Sequence, residues 1–356
     1  MLNLTEISIN ARKYFLYLGI CIVIFILLRF IFGLAINAIK SMSTPTEINT
    51  PPDIRFDKLP APKFTSATNS SSGLKFTLQN IEGRPPETTA SARVYSMPKK
   101  LPSFLAPDNA QKLAAKLGFT NDPVAINNTF YRFVDPEEPL RTLDLDIVTL
   151  NFQLKYDYSK NPSIFNLDKI LTKEDALQRV KNFISFGGLF DSSISNGKIT
   201  TVSLTYNPIS NAFTPAISLA SSNAVRVNFF REDLDGLKVL PPSYNKSFNY
   251  ALYTLSAKRD NEVLELSYTF WPIAFDDFST YPLKSGDAAW QDLLDGYAYV
   301  ISMGGNTAAA NIVIRNIYLA YFDTEEPQQF LQPIFVFEGD NNFVAYLSAV
   351  SNEWLE

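Results

Sequence analysis

The chain of 356 residues is 46% hydrophobic and carries a formal net charge of −5, which predicts packed cores in two or three domains. This acidic balance argues against nucleic acid as a partner, because nucleic-acid-binding proteins usually present a basic surface. Histidine is absent and Cys21 is the single cysteine, which excludes a Ser-His-Asp triad, a histidine-ligated metal site and an intrachain disulfide.

The first predicted element is an apolar helix over residues 14–36, interrupted by Gly19, Arg29 and Gly33. About 20 apolar residues in a helix cover a hydrocarbon layer of roughly 30 Å, whereas a secretory h-region has only about 7–15. The run therefore predicts a retained transmembrane helix. Two alternatives stay open, a cleaved signal sequence and a buried helix of a soluble protein.

Basic residues flank this predicted span unequally. Arg12 and Lys13 precede it, whereas Lys40 alone follows closely. The positive-inside rule then places residues 1–13 in the cytoplasm and the C-terminal bulk outside the cell membrane. The residues assigned to the membrane anchor are Arg12, Lys13, Tyr14, Tyr17, Arg29, Ile36 and Lys40.

Arg29 is the one charged residue within the apolar run. It lies about 10 Å of helical rise from Ile36, so its side chain can reach the headgroups by snorkelling. The alternative is that Arg29 contacts a partner, pairing with an acidic residue in another transmembrane helix.

Residues 41–72 are rich in Pro, Ser and Thr, and they predict an extended linker. Three helices are predicted beyond it. The first covers residues 107–118, from a proline at its start to a glycine at its stop. The second begins at Thr172, with Asp175 completing a capping box, and the third has Ser285 as N-cap and Gly296 as C′. Each predicted helix has small or apolar residues at i, i+4 spacing on one face: Ala110 and Ala114, Ala176 and Val180, Ala289 and Leu293.

Segments of alternating polarity follow each predicted helix. Leu143 and Leu145, for example, alternate with Asp144 and Asp146, which is typical of an antiparallel sheet with one solvated face. The predicted fold class is therefore α+β, with a single transmembrane helix followed by helix-plus-antiparallel-sheet modules. Those modules cover residues 73–160, 161–270 and 271–356.

Two segments resemble known families. The helix opened by Thr172 and "KEDA", with the strands after it, resembles the PepSY-type module of bacterial envelope proteins. The C-terminal segments "STYPLKSGDAAWQDLLDGYAYV", "IVIRNIYLAYFD" and "LQPIFVFEGDNNFVAYLSAV" are similar to YycH/YycI-like proteins, with Pro333, Phe335 and Val336 matching a P-x-W/F-x-V strand. Those proteins are single-span extracytoplasmic regulators of a sensor histidine kinase. The resemblance implies a scaffold and a location, and it supplies no catalytic residue.

Three functions are compatible with these observations. We expect a non-catalytic binding or regulatory protein of a bacterial cell envelope, anchored by one span, with another envelope or membrane protein as partner. Such a protein should present surface apolar patches or an exposed sheet edge. The first alternative is a structural or glycan-contacting envelope component, which should have a shallow aromatic groove. The second alternative is a histidine-independent hydrolase, which requires a deep pocket with carboxylates or lysine of shifted pKa.

The sequence identifies no candidate catalytic, cofactor-binding or metal-binding residue. Its adjacent carboxylates are candidates for a catalytic pair only in principle, because neighbouring positions on a strand point to opposite faces. We therefore interpret these pairs as solvated surface groups: Glu137 and Glu138, Asp276 and Asp277, Glu325 and Glu326.

Overall fold

A computed structural model describes residues 51–64, 69–165, 172–255 and 263–356, together with positions 22, 25 and 29. The chain divides into two compact units, Met1–Glu47 and Ile48–Glu356. In the first unit, Ile22, Phe25 and Arg29 are helical and exposed to solvent.

The predicted single-pass membrane topology is corrected by the structure. Within the described residues, no helix is both long enough and apolar enough to cross a membrane. The longest of them, Lys173–Gly187, has 15 residues and includes charged side chains, whereas a span needs about 20 apolar residues. The structure therefore does not support the cell-membrane localisation that was predicted from hydropathy. Apart from Arg29, the assigned anchor residues lie outside the described part of the chain: Arg12, Lys13, Tyr14, Tyr17, Ile36 and Lys40.

The second unit contains two large sheets, each of nine strands among the described residues. Sheet I combines the two ends of this unit. Its strands are β1 (Asn69–Ser70), β2 (Lys75–Leu78), β3 (Ser91–Ser96), β11 (Lys238–Leu240), β14 (Phe278–Pro282), β15 (Tyr299–Ser302), β16 (Asn311–Phe322), β17 (Phe330–Gly339) and β18 (Phe343–Ser348). Its main path runs β1-β15-β18-β17-β16-β11, while β2 lies parallel to β16 and β3 joins β17 to β14.

Sheet II is antiparallel throughout. Its strands are β4 (Val124–Ala125), β5 (Phe130–Val134), β6 (Arg141–Asp146), β7 (Phe152–Tyr156), β8 (Ile199–Asn207), β9 (Ala212–Pro215), β10 (Ala224–Phe229), β12 (Tyr250–Thr254) and β13 (Val263–Tyr268). The spatial order is β4-β5-β6-β7-β13-β12-β10-β8-β9. Pairing of β7 with β13 therefore joins strands from both sides of residue 161, where the sequence predicts a module boundary.

The helices of this unit are α1 (Ala106–Lys116), α2 (Lys173–Gly187), α3 (Ser192–Ser195) and α4 (Gly286–Leu294). Short 3₁₀ turns lie at Pro162–Phe165, Leu219–Ser221, Asp340–Asn342 and Asn352–Trp354. The three predicted helix positions are confirmed by α1, α2 and α4. The Thr172 hydroxyl accepts from the Asp175 amide at 3.1 Å within a complete capping box, and Ser285 accepts from the Ala288 amide at 3.1 Å. Gly296 follows α4 at φ +90°, a left-handed conformation that favours glycine.

The predicted α+β class is wrong, because the fold is mainly β. The helices occur where their caps predict them, but they are few and short beside two nine-stranded sheets. The alternating, aromatic-rich segments form many strands that pair across the whole unit instead of closing a small sheet beside each helix. Even within the predicted linker, Leu59 is fully buried and bridges to Leu355.

One face of sheet II is covered by α1 and α2, whereas the other carries a smaller apolar cluster at the 3₁₀ turn Pro162–Phe165 beside a more polar region. Helix α1 packs on β6, and α2 packs on β8, β10 and β12. The small faces of both helices are buried as predicted, in the core that also contains Leu143, Leu154, Val225 and Leu266. The buried residues of these faces are Ala110, Ala114, Ala176 and Val180. Side chains alternate along a strand, so the strand residues between those of this core point to the opposite face, which we call the polar face of sheet II.

Candidate functional site

Strand register aligns ionisable side chains across the polar face. Thr142 lies opposite Lys155, Lys155 opposite Glu265, Glu265 opposite Leu252, and Leu252 opposite Arg226. The next row contains mainly polar side chains: Asp144, Gln153, Ser267, Tyr250 and Asn228. Two adjacent rows of mixed charge and hydrogen-bonding groups therefore cross five strands.

Two open clefts of about 420 Å³ each lie on this face. Cleft 1 is lined by residues that include Thr142, Lys155, Asp157, Tyr158, Asn211 and Glu265. Cleft 2 is lined by residues that include Gln153, Arg226, Ser247, Tyr250, Ser267 and Glu326. Both linings are rich in hydrogen-bonding groups, unlike the mostly apolar walls of an ordinary cofactor pocket.

A hydrogen bond joins the linings of the two clefts. Tyr250, which lines cleft 2, donates its hydroxyl to Glu265 Oε2 at 2.6 Å, and Glu265 lines cleft 1. Tyr158 donates to the other carboxylate oxygen, Oε1, at 3.3 Å. Burial and the neighbouring Glu265 charge raise the pKa of both Tyr250 and Tyr158. Both phenols therefore stay protonated donors, and they hold the Glu265 carboxylate in a fixed orientation.

Tyr158, which lines cleft 1, belongs to a cluster of aromatic side chains. The rings of Phe165 and Tyr206 are stacked with centroids 4.2 Å apart, and Tyr158 meets them edge-on at 5.8 and 5.4 Å. Phe213 closes the group at 5.4 Å from Tyr158, and Tyr206 donates to Asn211 Oδ1 at 2.7 Å. Because its neighbours hold it on several sides, Tyr158 presents a fixed ring to the cleft.

Arg226 lies in cleft 2 with its guanidinium held by three groups. Its Nε donates to Asn228 Oδ1 at 2.9 Å and its Nη2 to the Ser247 carbonyl at 3.0 Å. The guanidinium carbon lies 3.4 Å from the centroid of the Tyr250 ring. Burial lowers the pKa of Arg226, although Tyr250 and Glu265 act in the opposite direction. None of the ion pairs between described residues includes Arg226, so its charge is only partly compensated.

Apart from Glu265, the carboxylates that line the clefts have ordinary surface surroundings. Asp157 forms an ion pair with Lys160 at 2.8 Å, and hydrogen bonds from Lys160 and Ser159 lower the pKa of Asp157. Glu325 and Glu326 are exposed at the rim of cleft 2. Over the described part of the chain, no group of three or more carboxylate or cysteine side chains is placed to hold a metal ion.

The residues that line the two clefts are not those that the sequence analysis assigned to the anchor. Of the anchor residues, only Arg29 is described, and it belongs to the other compact unit. The groups that form the site instead were missed, because they come from three separate strands. A signal exists, since Arg226 interrupts the apolar strand "AVRVNF" and Glu265 interrupts "VLELSY". A charge inside an apolar strand marks the face that is not in the main core.

No protein-family model matches the chain, and no curated protein matches it. Among solved structures, the chain is similar to an uncharacterized protein from Eubacterium rectale, with 12% sequence identity and a TM-score of 0.41. The match covers 78% of this chain and 88% of the other. A similarity at this level carries no functional argument, and no comparison supports the PepSY-like or YycI-like resemblance.

Proposed function

We propose that the protein is a non-catalytic binding protein that holds a carbohydrate across the polar face of sheet II. The observation that carries this proposal is the pair of adjacent open clefts joined at the Tyr250–Glu265 hydrogen bond. A shallow groove with aromatic side chains is what we expect of a glycan-contacting protein, and the presence of Tyr158 and Tyr250 in the linings supports the proposal.

The chemistry of the lining matches a polyhydroxylated ligand. Sugar hydroxyls both donate and accept hydrogen bonds, and cleft 1 offers acceptors at Asp157 and Glu265, a cationic donor at Lys155 and an amide at Asn211. The fixed ring of Tyr158 supplies an apolar surface for the C–H face of a sugar. A peptide strand has less to gain here, because backbone groups on a sheet face already pair with neighbouring strands.

The pKa of Asp157, which lines cleft 1, supports binding without catalysis. Hydrogen bonds from Lys160 and Ser159 lower that pKa. A carboxylic acid that donates a proton at neutral pH requires a raised pKa. The tyrosines that donate to Glu265 hold its two oxygens in place, which suits an acceptor of sugar hydroxyls.

A second function, binding of another protein, is favoured by one surface feature. Leu101, Phe104 and Leu105 precede α1, and their exposed fractions are 82%, 104% and 61%. Clustered exposed apolar side chains of this size are typical of protein-contact surfaces. Site-specific photo-crosslinking from position 104 should capture one defined protein if this segment binds a partner. Crosslinking from Ile81, which is equally exposed, is the matched control.

The carbohydrate proposal is tested by screening the full chain on a glycan array and titrating the hits by calorimetry. Glu265→Gln should weaken binding at least tenfold, because a hydrogen bond to a charged group contributes about 1.5–3 kcal/mol. Arg132→Gln is the control, since Arg132 lies on the same face, is paired with Asp144 at 2.6 Å and lines neither cleft. Absence of any saccharide binding on the array and in solution would reject the proposal.

A further inference from the structure

We infer that Arg226 receives the carboxylate of an acidic saccharide bound in cleft 2. This inference rests on the proposed function and names the class of ligand. Arg226 recognises the negative charge of the ligand, and the remaining groups of the two clefts contact sugar hydroxyls.

The guanidinium is positioned before any ligand arrives. Hydrogen bonds to Asn228 and to the Ser247 carbonyl engage Nε and Nη2, and the Tyr250 ring fixes the plane of the group. The hydrogen bonds to Asn228 and Ser247 do not use Nη1, and Arg226 lines cleft 2, where a ligand can meet it. An arginine held in this way loses little side-chain entropy on binding an anion.

Charge compensation distinguishes Arg226 from other arginines of the molecule. On the same sheet face, Arg132 has both Nε and Nη2 within 2.6 Å of Asp144 oxygens. In the interior, Arg231 pairs with Asp323 at 3.0 Å. Arg226 has no such carboxylate among the described residues, yet a guanidinium keeps its charge at neutral pH. A ligand anion in cleft 2 would supply the missing partner.

Glu265 does not fill this role. Its negative charge acts on Arg226 from a distance, but its two oxygens accept from Tyr250 and Tyr158. The closest compensation for Arg226 is therefore the face of the Tyr250 ring, which is weaker than a carboxylate in direct contact.

The surroundings favour a carboxylate over a more highly charged anion. A carboxylate matches the planar guanidinium in shape and charge. Glu325 and Glu326 at the rim oppose any anion, and they oppose a phosphate dianion more strongly than a monoanion. Both are exposed and screened by salt, and Lys246 in the same lining offsets part of their charge.

The test uses the full chain and a panel of uronic-acid and sialic-acid oligosaccharides, each offered as the free acid and as its methyl ester. Calorimetry should show at least one free acid binding tenfold or more tightly than its ester. Arg226→Gln should abolish this preference, and Arg226→Lys should restore only part of it. Arg132→Gln should leave the preference unchanged, because that side chain is already paired and lies outside both clefts.

The outcomes separate the inference from the proposed function. Equal binding of acid and ester to the unmodified protein would overturn carboxylate recognition while leaving carbohydrate binding intact, and this comparison needs no variant to fold. Binding of a poly-glutamate peptide without any saccharide would overturn both in favour of an acidic peptide. Failure of the whole panel to bind would also overturn both.

Discussion

Tyr250 and Glu265 stand on neighbouring strands of sheet II and form the 2.6 Å hydrogen bond at which the two clefts meet. Their shared face follows from the regular register of β12 and β13, in which Tyr250 lies opposite Ser267 and Leu252 opposite Glu265, whereas the register shifts further on, between Leu252 and Tyr253. Val263 packs in the helix-side core, whereas Glu265, two residues further on, faces the clefts. The irregularity therefore places Val263 and Glu265, which are two residues apart, on opposite faces of the sheet.

The first prediction concerns this hydrogen bond. Tyr250→Phe keeps the ring over Arg226 but removes the hydroxyl that donates to Glu265, leaving a half-buried carboxylate with one donor fewer. We expect a loss of about 1–3 kcal/mol in the free energy of unfolding, measured by urea denaturation. Tyr297→Phe, at an exposed tyrosine, should change it by less than about 0.5 kcal/mol. Equal effects of the two substitutions would show that the bond does not stabilise the fold.

The second prediction concerns the buried ion pair of Arg231 and Asp323, whose side chains are 4% and 5% exposed. Asp323→Ala should cost about 3–5 kcal/mol of unfolding free energy, because it leaves the Arg231 charge buried without a partner. The double substitution Arg231→Met with Asp323→Leu should cost less than the sum of the single changes. Asp277→Ala breaks the exposed pair with Arg55 and should cost at most about 1 kcal/mol. Additive losses in the double variant would contradict this account of the pair.

The third prediction concerns the cap of α2. Thr172→Ala removes the hydroxyl that accepts from the first turn of the helix and should lower the unfolding free energy by about 0.5–2 kcal/mol. Thr307→Ala, in an exposed loop, is the matched control and should be nearly neutral. A Thr172 variant as stable as the control in thermal unfolding would indicate that α2 is held by packing alone.

The fourth prediction concerns stability at alkaline pH. Burial raises the pKa of both Tyr95 and Tyr268 to about 12, and the hydrogen bond of Tyr95 to Asp235 adds to the effect. The unfolded chain releases these protons near pH 10, so it binds fewer protons than the native state above that pH. The stabilising contribution is therefore complete below pH 10 and declines from pH 10 to about 12. Tyrosinate absorbance should rise together with unfolding, and Tyr268→Phe should make the decline shallower. Free titration of these tyrosines near pH 10 in the native protein would contradict the prediction.

Local features of the fold were predictable from the sequence, and distant pairings were not. The caps at Thr172 and Ser285 and the stop at Gly296 depend on residues within one helical turn, so spacing alone identified them. Pairing of β7 with β13 joins segments more than one hundred residues apart, and alternation gives each strand a face but no partner. The hydropathy of residues 14–36 predicted a membrane span. No described helix is long and apolar enough to support that topology.

The site could not be predicted from the sequence for the same reason, because it depends on pairings between distant segments. Arg226, Tyr250 and Glu265 come from three separate segments, and only the order β13-β12-β10 brings them together. The helix-side core was predicted better, because Ala110, Ala176 and their i+4 partners needed only helical periodicity. A charge within an apolar strand is the feature that would have directed attention to the polar face.

The most direct test of a ligand lying across the polar face is hydrogen–deuterium exchange of the full chain with and without a saturating saccharide identified on the array. We predict slower exchange in the two loops that border the clefts, residues 157–160 beside cleft 1 and 242–248 beside cleft 2, with sheet I unchanged. Protection confined to sheet I, or to residues 101–105 before α1, would contradict the account.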